Sequence, residues 1–461
     1  MPIKQIFILI FTSCVIFSTA FAEPQPKEIN PLESFKKEDR VLIFAPHPDD
    51  ETIGCAGVIQ RALSNGAKVK VIYLTSGDNN IFSILFYNQF LFPIRLLLLN
   101  SSDFITLGRQ RQKEAIEAMK ILGLKENDLA FLGYPDHGTD RMFVFNWGRK
   151  KPYKSLFNDQ SAVPYEESMS YKKEFKADNI LEDIEKILLD YKPTKIFISH
   201  PADLNGDHWA LYLYVQVALA DLDKKIPDPK VYPYIVHVTA WPLPRHYHPD
   251  LRIEPPKKFF EDSLEAIGWT ELKLTPQELE KKHEAMLAYR SQTRISAFYL
   301  LSFVRQNELF GDFPMIELKK KALAKDTTIK LGEQDIFTSD SKWFGLALVD
   351  NYLLIKAKKP KELKNRAAFI FFLDVYKIGA FFGDLPDIII TTKYDKFRVY
   401  DANIDKYIDP KDTSLEFNPD SIVLKVPLSI LEDPDGFIFA LDTYNDFLPL
   451  GVTSFREVIL E

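Results

Sequence analysis

The sequence predicts an α/β fold: a Rossmann-like, mostly parallel sheet with helices on both faces, followed by a C-terminal antiparallel β-sandwich. Three observations carry that expectation. Between about residues 38 and 240, short apolar runs alternate with amphipathic stretches, the pattern of strands joined by covering helices. Beyond about Asp326, short β-branched or aromatic runs are separated by Asp, Pro, Asn and Gly, as in antiparallel sandwiches. The 461 residues, 46% apolar, suffice for two or three domains with real cores.

In chain order, strands are expected at Arg40–Ala45, 68–74, 129–132, Lys195–Ser199 and 234–238. Helices are expected between them at 52–64, 106–122, 179–191 and 207–222. The third is the clearest: Ile180, Leu181, Ile184, Ile187 and Leu188 recur at helical spacing, and Pro193 stops the pattern. Two insertions break the rhythm. Residues 81–99 are strongly apolar, but Asn88, Gln89, Pro93 and Arg95 argue against a membrane span. The segment reads as a lid over the site, a patch touching lipid, or a packed loop and helix. Residues 143–176, rich in aromatic, polar and proline residues, suit a substrate-binding loop. The lysine-dense stretch 319–325 reads as a linker. Strands of the last domain are expected at 352–357, 368–375, 387–392, 421–426 and 436–441.

The first residues read as an export signal: Lys4, an apolar run from Ile6 to Ile16, and Ala20-Phe21-Ala22 in the small-x-small form of a cleavage site. A lipoprotein signal acylated at Cys14, or an uncleaved anchor, competes with it. Cys55 would then be the one remaining thiol, so no internal disulfide is expected. Its setting suits a small buried helical residue better than a nucleophile. With 58 Lys and Arg against 65 Asp and Glu, the chain offers no electrostatic footprint for nucleic acid.

Chemistry concentrates in Ala45-Pro46-His47-Pro48-Asp49-Asp50-Glu51, directly after the apolar run Val41-Leu42-Ile43-Phe44. Such groups cost stability at a buried strand end unless something binds them. A divalent metal that activates water needs about three protein ligands and an open position. His47 and Asp50, three apart on one turn, can face one ion, and Asp207-His208 at the end of a later strand is the natural source of a third ligand. Asp49 can then serve as general base. Only eight histidines occur, and His47, His137, His200 and His208 all fall near strand ends. The bland reading is that Asp49 or Asp50 caps the following helix and Glu51 favours its positive end, which leaves His47 without a purpose. Asp203 to Asp207 mimics the opening of a calcium loop, but His208 and Tyr214 stand where an EF-hand needs glycine and glutamate.

Here the chain resembles the PIG-L/LmbE-type zinc deacetylases over about residues 38 to 310. His47-Pro48-Asp49-Asp50-Glu51 with Gly54 looks like their signature. Arg111-Gln112-Lys113-Glu114 with Ala118 and Leu122-Gly123 is similar to their R-x-x-E helix. Gly133-Tyr134-Pro135-Asp136 resembles their strand-end aspartate, Gly206-Asp207-His208 the end of H-P-D-H, and Tyr289-Arg290-Ser291-Gln292 a late S-Q motif.

The resemblance implies zinc-dependent removal of an N-acetyl group from a glucosamine-type sugar. His47, Asp50 and His208 would be zinc ligands, although another divalent ion is open, and Asp49 the general base. Arg111, Asp136 and His137 would serve substrate or the groups around it. The chain departs from the family at Asn205, where H-P-D-H has its first histidine. Asparagine can donate to an oxyanion but cannot be a general acid, so protonated Asp49, His200 or His137 would return the proton.

Tyr232, Tyr234, Trp241, His246, Tyr247 and His248 form an aromatic-rich stretch that reads as a saccharide groove or as loop anchors. The resulting expectation is an exported, periplasmic or extracellular deacetylase. A signal occupies 1–22, a deacetylase domain 23–320, and a sandwich domain, a carbohydrate binder or a structural cap, 326–461. The partners expected are an N-acetylated amino sugar and an envelope or membrane surface. The rivals are a zinc amidase on another amide and a saccharide-binding protein with a non-catalytic metal site.

Overall fold

The computed structural model describes residues 29–81, 83–84, 99–148, 150–256, 267–313, 315–321, 337, 339–340, 344–359, 367–393, 396–445, 448–452 and 455–461. The expected export signal, Cys14 and most of the 81–99 insertion lie outside these residues. Among the described residues, no helix is long and apolar enough to cross a membrane.

The first region is mixed α/β. Its strands are β1 (Asn30–Pro31), β2 (Arg40–Ala45), β3 (Lys68–Thr75), β4 (Leu129–Tyr134), β5 (Lys195–Ser199), β6 (Lys230–Tyr234), β7 (Trp269–Lys273) and β8 (Asn307–Gly311). They form one sheet in the order β1-β7-β8-β6-β5-β2-β3-β4. The pairs β2·β3, β2·β5, β3·β4 and β5·β6 are parallel, whereas β7·β8 and β6·β8 are antiparallel. From β2 the chain builds outward through β3 and β4, then returns to add β5 and β6 on the other side. The junction of β2 and β5 is therefore a topological switch point, where the loops leaving adjacent strands diverge and open a crevice.

The helices are α1 (Asp50–Ser64), α2 (Ser101–Leu122), α3 (Thr139–Phe145), α4 (Ala177–Tyr191), α5 (Gly206–Asp221), α6 (Pro276–Ala288) and α7 (Arg290–Leu300). Alternation along β2 shows why both faces need them. Val41, Ile43 and Ala45 join a core with residues of α1, α2 and α6, while Leu42 and Phe44 join another with residues of α4 and α5. Side chains of a strand point alternately to opposite faces, so a run without polar interruption must be covered twice.

Three expectations change here. The strand expected at 234–238 ends at Tyr234, because the N–H groups of Val236 and His237 donate to Asp203 Oδ2 at 2.9 and 2.8 Å, not to a neighbouring strand. The 143–176 insertion is a packed element: Val163, Tyr165 and Phe175 are buried in the core. The stretch expected as a linker at 319–325 is paired at its start, where β10 (Lys320–Lys321) lies beside the strand Phe344–Val349, and β9 (Ile316–Leu318) just before it lies beside the last strand; residues 322–325 lie outside the described ones.

The C-terminal region is strand-rich. Its further strands are β11 (Ser339–Asp340), β12 (Phe344–Val349), β13 (Tyr352–Lys358), β14 (Ala367–Tyr376), β15 (Asp387–Lys393), β16 (Lys396–Asp401), β17 (Lys406–Ile408), β18 (Ser414–Phe417), β19 (Ser421–Pro427), β20 (Gly436–Asn445), β21 (Leu448–Val452) and β22 (Arg456–Leu460). One sheet runs β10-β12-β13-β19-β18 with β11 beside β12, and another runs β17-β16-β15-β14-β20-β22-β9 with β21 beside β20. Leu346, Leu353 and Ile355 of the first sheet share a core with Phe369, Phe371, Ile390 and Phe439 of the second. The two regions meet where Phe382 lies 5.0 Å from Trp147 and 5.8 Å from Phe143, ring to ring.

Candidate metal centre

The site lies beyond the carboxyl ends of β2 and β5. The β2 strand delivers His47 one residue past its neighbour Pro46, and α1 begins at Asp50. Asp49 occupies the N-cap position of α1 with φ 135°, yet its side chain makes no capping bond. That corrects the capping reading. A non-glycine residue at such φ is strained by about 1–3 kcal/mol, and two contacts hold it there. Its N–H donates to Glu51 Oε2 at 3.1 Å, and its Oδ2 receives Arg111 Nη2 at 3.1 Å. The carboxylate is thus turned from the helix towards a cavity of about 400 Å³.

Three ligand atoms converge beside it. His47 Nδ1 and His208 Nε2 each lie 3.1 Å from Asp50 Oδ2, and 3.3 Å from one another. Ligands about 2.0–2.1 Å from a tetrahedral zinc sit about 3.3 Å apart, so the triangle has the size such an ion needs. The outward nitrogens set the tautomers. His47 Nε2 is 3.2 Å from both Asp136 Oδ1 and Asp207 Oδ2, and His208 Nδ1 is 3.2 Å from Asp203 Oδ2. A proton on each outward nitrogen leaves the inward lone pairs for a cation.

Electrostatics point the same way. Asp49, Asp50, Asp136, Asp203 and Asp207 are all buried, against Arg111 and two imidazoles. Burial pulls His208 down, but Asp203 and Asp50 outweigh it and push it up to about 9. Burial pushes Asp50 up, yet His208 and His47 hold it well below the usual carboxylate range. For Asp49 burial wins over Arg111, raising it to about 7. Removing each such charge from water costs several kcal/mol, which packing alone does not return.

The supporting motifs are legible in contacts. Arg111 Nη1 and Nη2 donate to Gly77 O at 2.8 Å and Pro48 O at 2.7 Å, so Arg111 clamps the His47–Asp50 loop. Gly77 has φ +60°, and a Cβ there would stand 2.2 Å from Arg111 Nη1. Gly54 lets α1 approach β6, since its Cβ would stand 2.5 Å from Tyr234. Glu114 accepts from Ser291 N and Oγ at 3.0 and 2.6 Å, joining α2 to α7. Glu51 is buried, hydrogen-bonded by Tyr289 and Thr52, and raised by burial to about 7. Cys55 is buried and its thiol is pushed well up by burial, which suits packing and not nucleophilic attack.

Of the nine residues singled out from sequence, seven line the cavity: His47, Asp49, Asp50, Arg111, Asp136, His137 and Asn205. His208 closes the ligand triangle behind them. His200 stands apart. Its Nδ1 accepts from Ala202 N at 3.0 Å, its ring packs on Trp269 and Phe313, and burial lowers it to about 3. Asn205 Oδ1 accepts from Asp207 N at 2.9 Å as the N-cap of α5, which leaves its NH₂ as the group for another partner.

His237 was not among the nine. It lines the cavity, and its Nδ1 is 3.1 Å from Asp203 Oδ1. It lay hidden inside a stretch read as strand. None of the six residues of the aromatic stretch lines the cavity, nor does any described residue of 143–176; Tyr299 of α7 supplies the aromatic face instead.

Residues 42–219 match the family described as PIG-L: GlcNAc-PI de-N-acetylase. The chain is 24% identical over 304 residues to 1D-myo-inositol 2-acetamido-2-deoxy-alpha-D-glucopyranoside deacetylase of Kribbella flavida, covering 59% of this chain and 89% of that protein. It is 22% identical over 268 residues to a putative glucosamine-6-phosphate deaminase-like protein of Bacteroides thetaiotaomicron, covering 56% of this chain but 36% of that one. Among solved structures, N,N'-diacetylchitobiose deacetylase from Pyrococcus horikoshii is similar over 59% of this chain and 82% of its own, at 19% identity and TM-score 0.33.

Proposed function

We propose that this chain, which carries a PIG-L family domain over residues 42–219, is an exported zinc-dependent N-deacetylase acting on an N-acetylated glucosamine-type sugar of a glycan, glycolipid or envelope polymer. The deacetylase domain is taken as 23–320 with a Rossmann-like sheet, and 326–461 as a sandwich. The observation that carries the activity is the triangle of His47 Nδ1, Asp50 Oδ2 and His208 Nε2 beside the strained, uncapped Asp49. The name of the Kribbella flavida relative, a deacetylase of an acetamido sugar, supports the substrate class.

His47, Asp50 and His208 would hold the zinc, which supplies Lewis acidity towards the acetyl carbonyl and lowers the pKa of water. Asp49, at the cavity wall, takes the proton from the attacking water. Arg111 fixes Asp49 from behind and keeps the loop in register with the ligands. The Asn205 NH₂ donates to the developing oxyanion. His237, oriented by Asp203, faces the cavity and stands where a proton can return to the leaving amine. That removes His200 from the role considered for it. Acetate and a free amine leave.

The test is to incubate the protein, with and without chelator, with N-acetylglucosamine oligomers and measure acetate and free-amine release. Chelator-sensitive release of both in equal amounts is expected. Sugar binding with no turnover across several N-acetylated substrates would overturn the reading, and turnover only of other amides would favour an amidase.

A further inference from the structure

An aspartate that precedes a helix ordinarily caps it, its side chain accepting from the second or third backbone N–H. Asp49 stands at that position of α1 yet makes no capping bond, and its φ of 135° lies in the region that favours glycine. Its main chain still starts the helix, because its carbonyl accepts from Thr52 N at 3.0 Å and Ile53 N at 2.9 Å. Only the carboxylate is turned away. One hold on it is Arg111, whose Nη2 lies 3.1 Å from Asp49 Oδ2. The other is Glu51, which takes the Asp49 N–H on Oε2 at 3.1 Å. That resembles half of a capping box made one residue early, with the reciprocal bond from the capping side chain missing. Glu51 is held in turn. It is fully buried, its Oε1 accepts from Thr52 Oγ1 at 2.8 Å, and the Tyr289 hydroxyl donates to the same oxygen. Tyr289 is equally buried and sits where α6 meets α7, its carbonyl accepting from Gln292 N at 3.0 Å and Thr293 N at 2.8 Å.

We propose that Glu51 and Tyr289 are positioning residues for the general base. Tyr289, 238 residues further along the chain, fixes Glu51; Glu51 fixes the Asp49 amide, and Asp49 is thereby denied the N-cap and kept facing the cavity. The inference rests on the reading of Asp49 as the base. Without an acceptor for its N–H, Asp49 gains by leaving its strained φ and capping α1 with its own side chain. That movement takes the carboxylate off the attacking water, and a misplacement of about 1 Å can cost about 10²-fold in rate. The role needs an acceptor and not a charge. Glu51→Gln keeps a carbonyl for the Asp49 N–H, and the hydroxyls of Thr52 and Tyr289 can accept from its amide. Glu51→Met removes the acceptor at similar volume and leaves those hydroxyls, 3.3 Å apart, to bond one another.

The test compares wild type, Glu51→Met, Glu51→Gln and Tyr289→Phe by zinc content, by kcat and KM on an N-acetylglucosamine oligomer, and by zinc-bound crystal structures. Glu51→Met should keep its zinc and its KM while kcat falls about 10²-fold. Glu51→Gln should recover most of that loss, and Tyr289→Phe should fall between the two. In an Asp49→Asn background, Glu51→Met should slow the residual rate no further, whereas a merely structural role would slow both backgrounds alike. In the crystal of Glu51→Met, the Asp49 carboxylate should have left the cavity to accept from Thr52 N. The proposal is overturned if Asp49 keeps its φ and its place there, if kcat is unchanged, or if both backgrounds slow equally. Should Glu51→Met not fold, Tyr289→Phe carries the same readouts. A wild type that turns over no N-acetylated sugar refutes the deacetylase reading by itself, and the crystal structures then still decide whether Glu51 and Tyr289 position Asp49.

Discussion

His47 Nδ1 and His208 Nε2 face one another 3.3 Å apart across a single oxygen of Asp50, although 160 residues separate the two histidines' segments in the chain. Two inward lone pairs and a carboxylate at that spacing repel unless a cation lies between them. His208→Ala should therefore abolish zinc retention. Metal content after dialysis, read by mass spectrometry, should fall from near one zinc per chain to a small fraction, and acetate release should fall with it. Retention of stoichiometric zinc by His208→Ala would refute the ligand assignment.

Asp49 is predicted to act on the proton and not on the metal. Asp49→Asn preserves the shape and the Arg111 contact, so zinc content should stay unchanged while kcat falls about 10²–10⁴-fold. Loss of zinc in this variant would move Asp49 among the ligands.

The two histidines on either side of Asp203 should separate cleanly. His237→Ala should lower kcat by at least about 10²-fold with zinc retained, whereas His200→Ala, behind Trp269 and Phe313, should alter stability more than kcat. Asp203→Asn touches both His208 and His237, and should weaken zinc about 10–100-fold as well as slow turnover. Equal kcat for His237→Ala and wild type would return the proton-delivery role to His137 or Asp49.

A pH effect on stability is expected from Glu185 on α4 and Asp221 on α5. Burial, then Asp221, raises Glu185 to about 7, and burial raises Asp221 as well. With the folded pKa above the ordinary value of 4.5, the native chain holds a proton that the unfolded chain has released. Stability contributed by that proton is present near pH 4.5 and lost as pH rises through about 7. Glu185→Gln should flatten this slope, so that its Tm falls less than the wild type's between acid and neutral pH. Parallel Tm curves for the two proteins would remove the pair as the cause.

The joint between the regions should depend on Phe382, which is 6% exposed and packs on Trp147 and Phe143. Phe382→Ala should destabilise the chain by about 3–5 kcal/mol, measured by urea unfolding. A second transition should separate if the regions then unfold apart. A change below about 0.5 kcal/mol would show that this contact is not part of the stabilising core.

Much of the α/β region was legible because its signals are local. The strand Arg40–Ala45 has the bounds expected for it. The apolar spacing on Ala177–Tyr191 announced that helix, and the C-terminal strands fell where β-branched runs lie between turn residues. Helix α6 carries a local signal of its own, Thr275 and Glu278 in a capping box with Pro276 at its start. The end of β6 was not legible, since it depends on Asp203, a residue remote in sequence, taking the N–H groups of Val236 and His237.

For the site, residue type and position after a strand singled out His47, Asp49, Asp50 and His208. Sequence by itself determined which side chains can carry metal chemistry and the alternating pattern that buries them at strand ends. Tertiary structure alone decided which of them meet, which nitrogen of each imidazole turns inward, and that His237 and not His200 faces the cavity. Those choices are made by carboxylates such as Asp203 and Asp207, reached across the sheet, and hydrogen-bond direction and burial are properties of neighbours in space that no local spacing encodes.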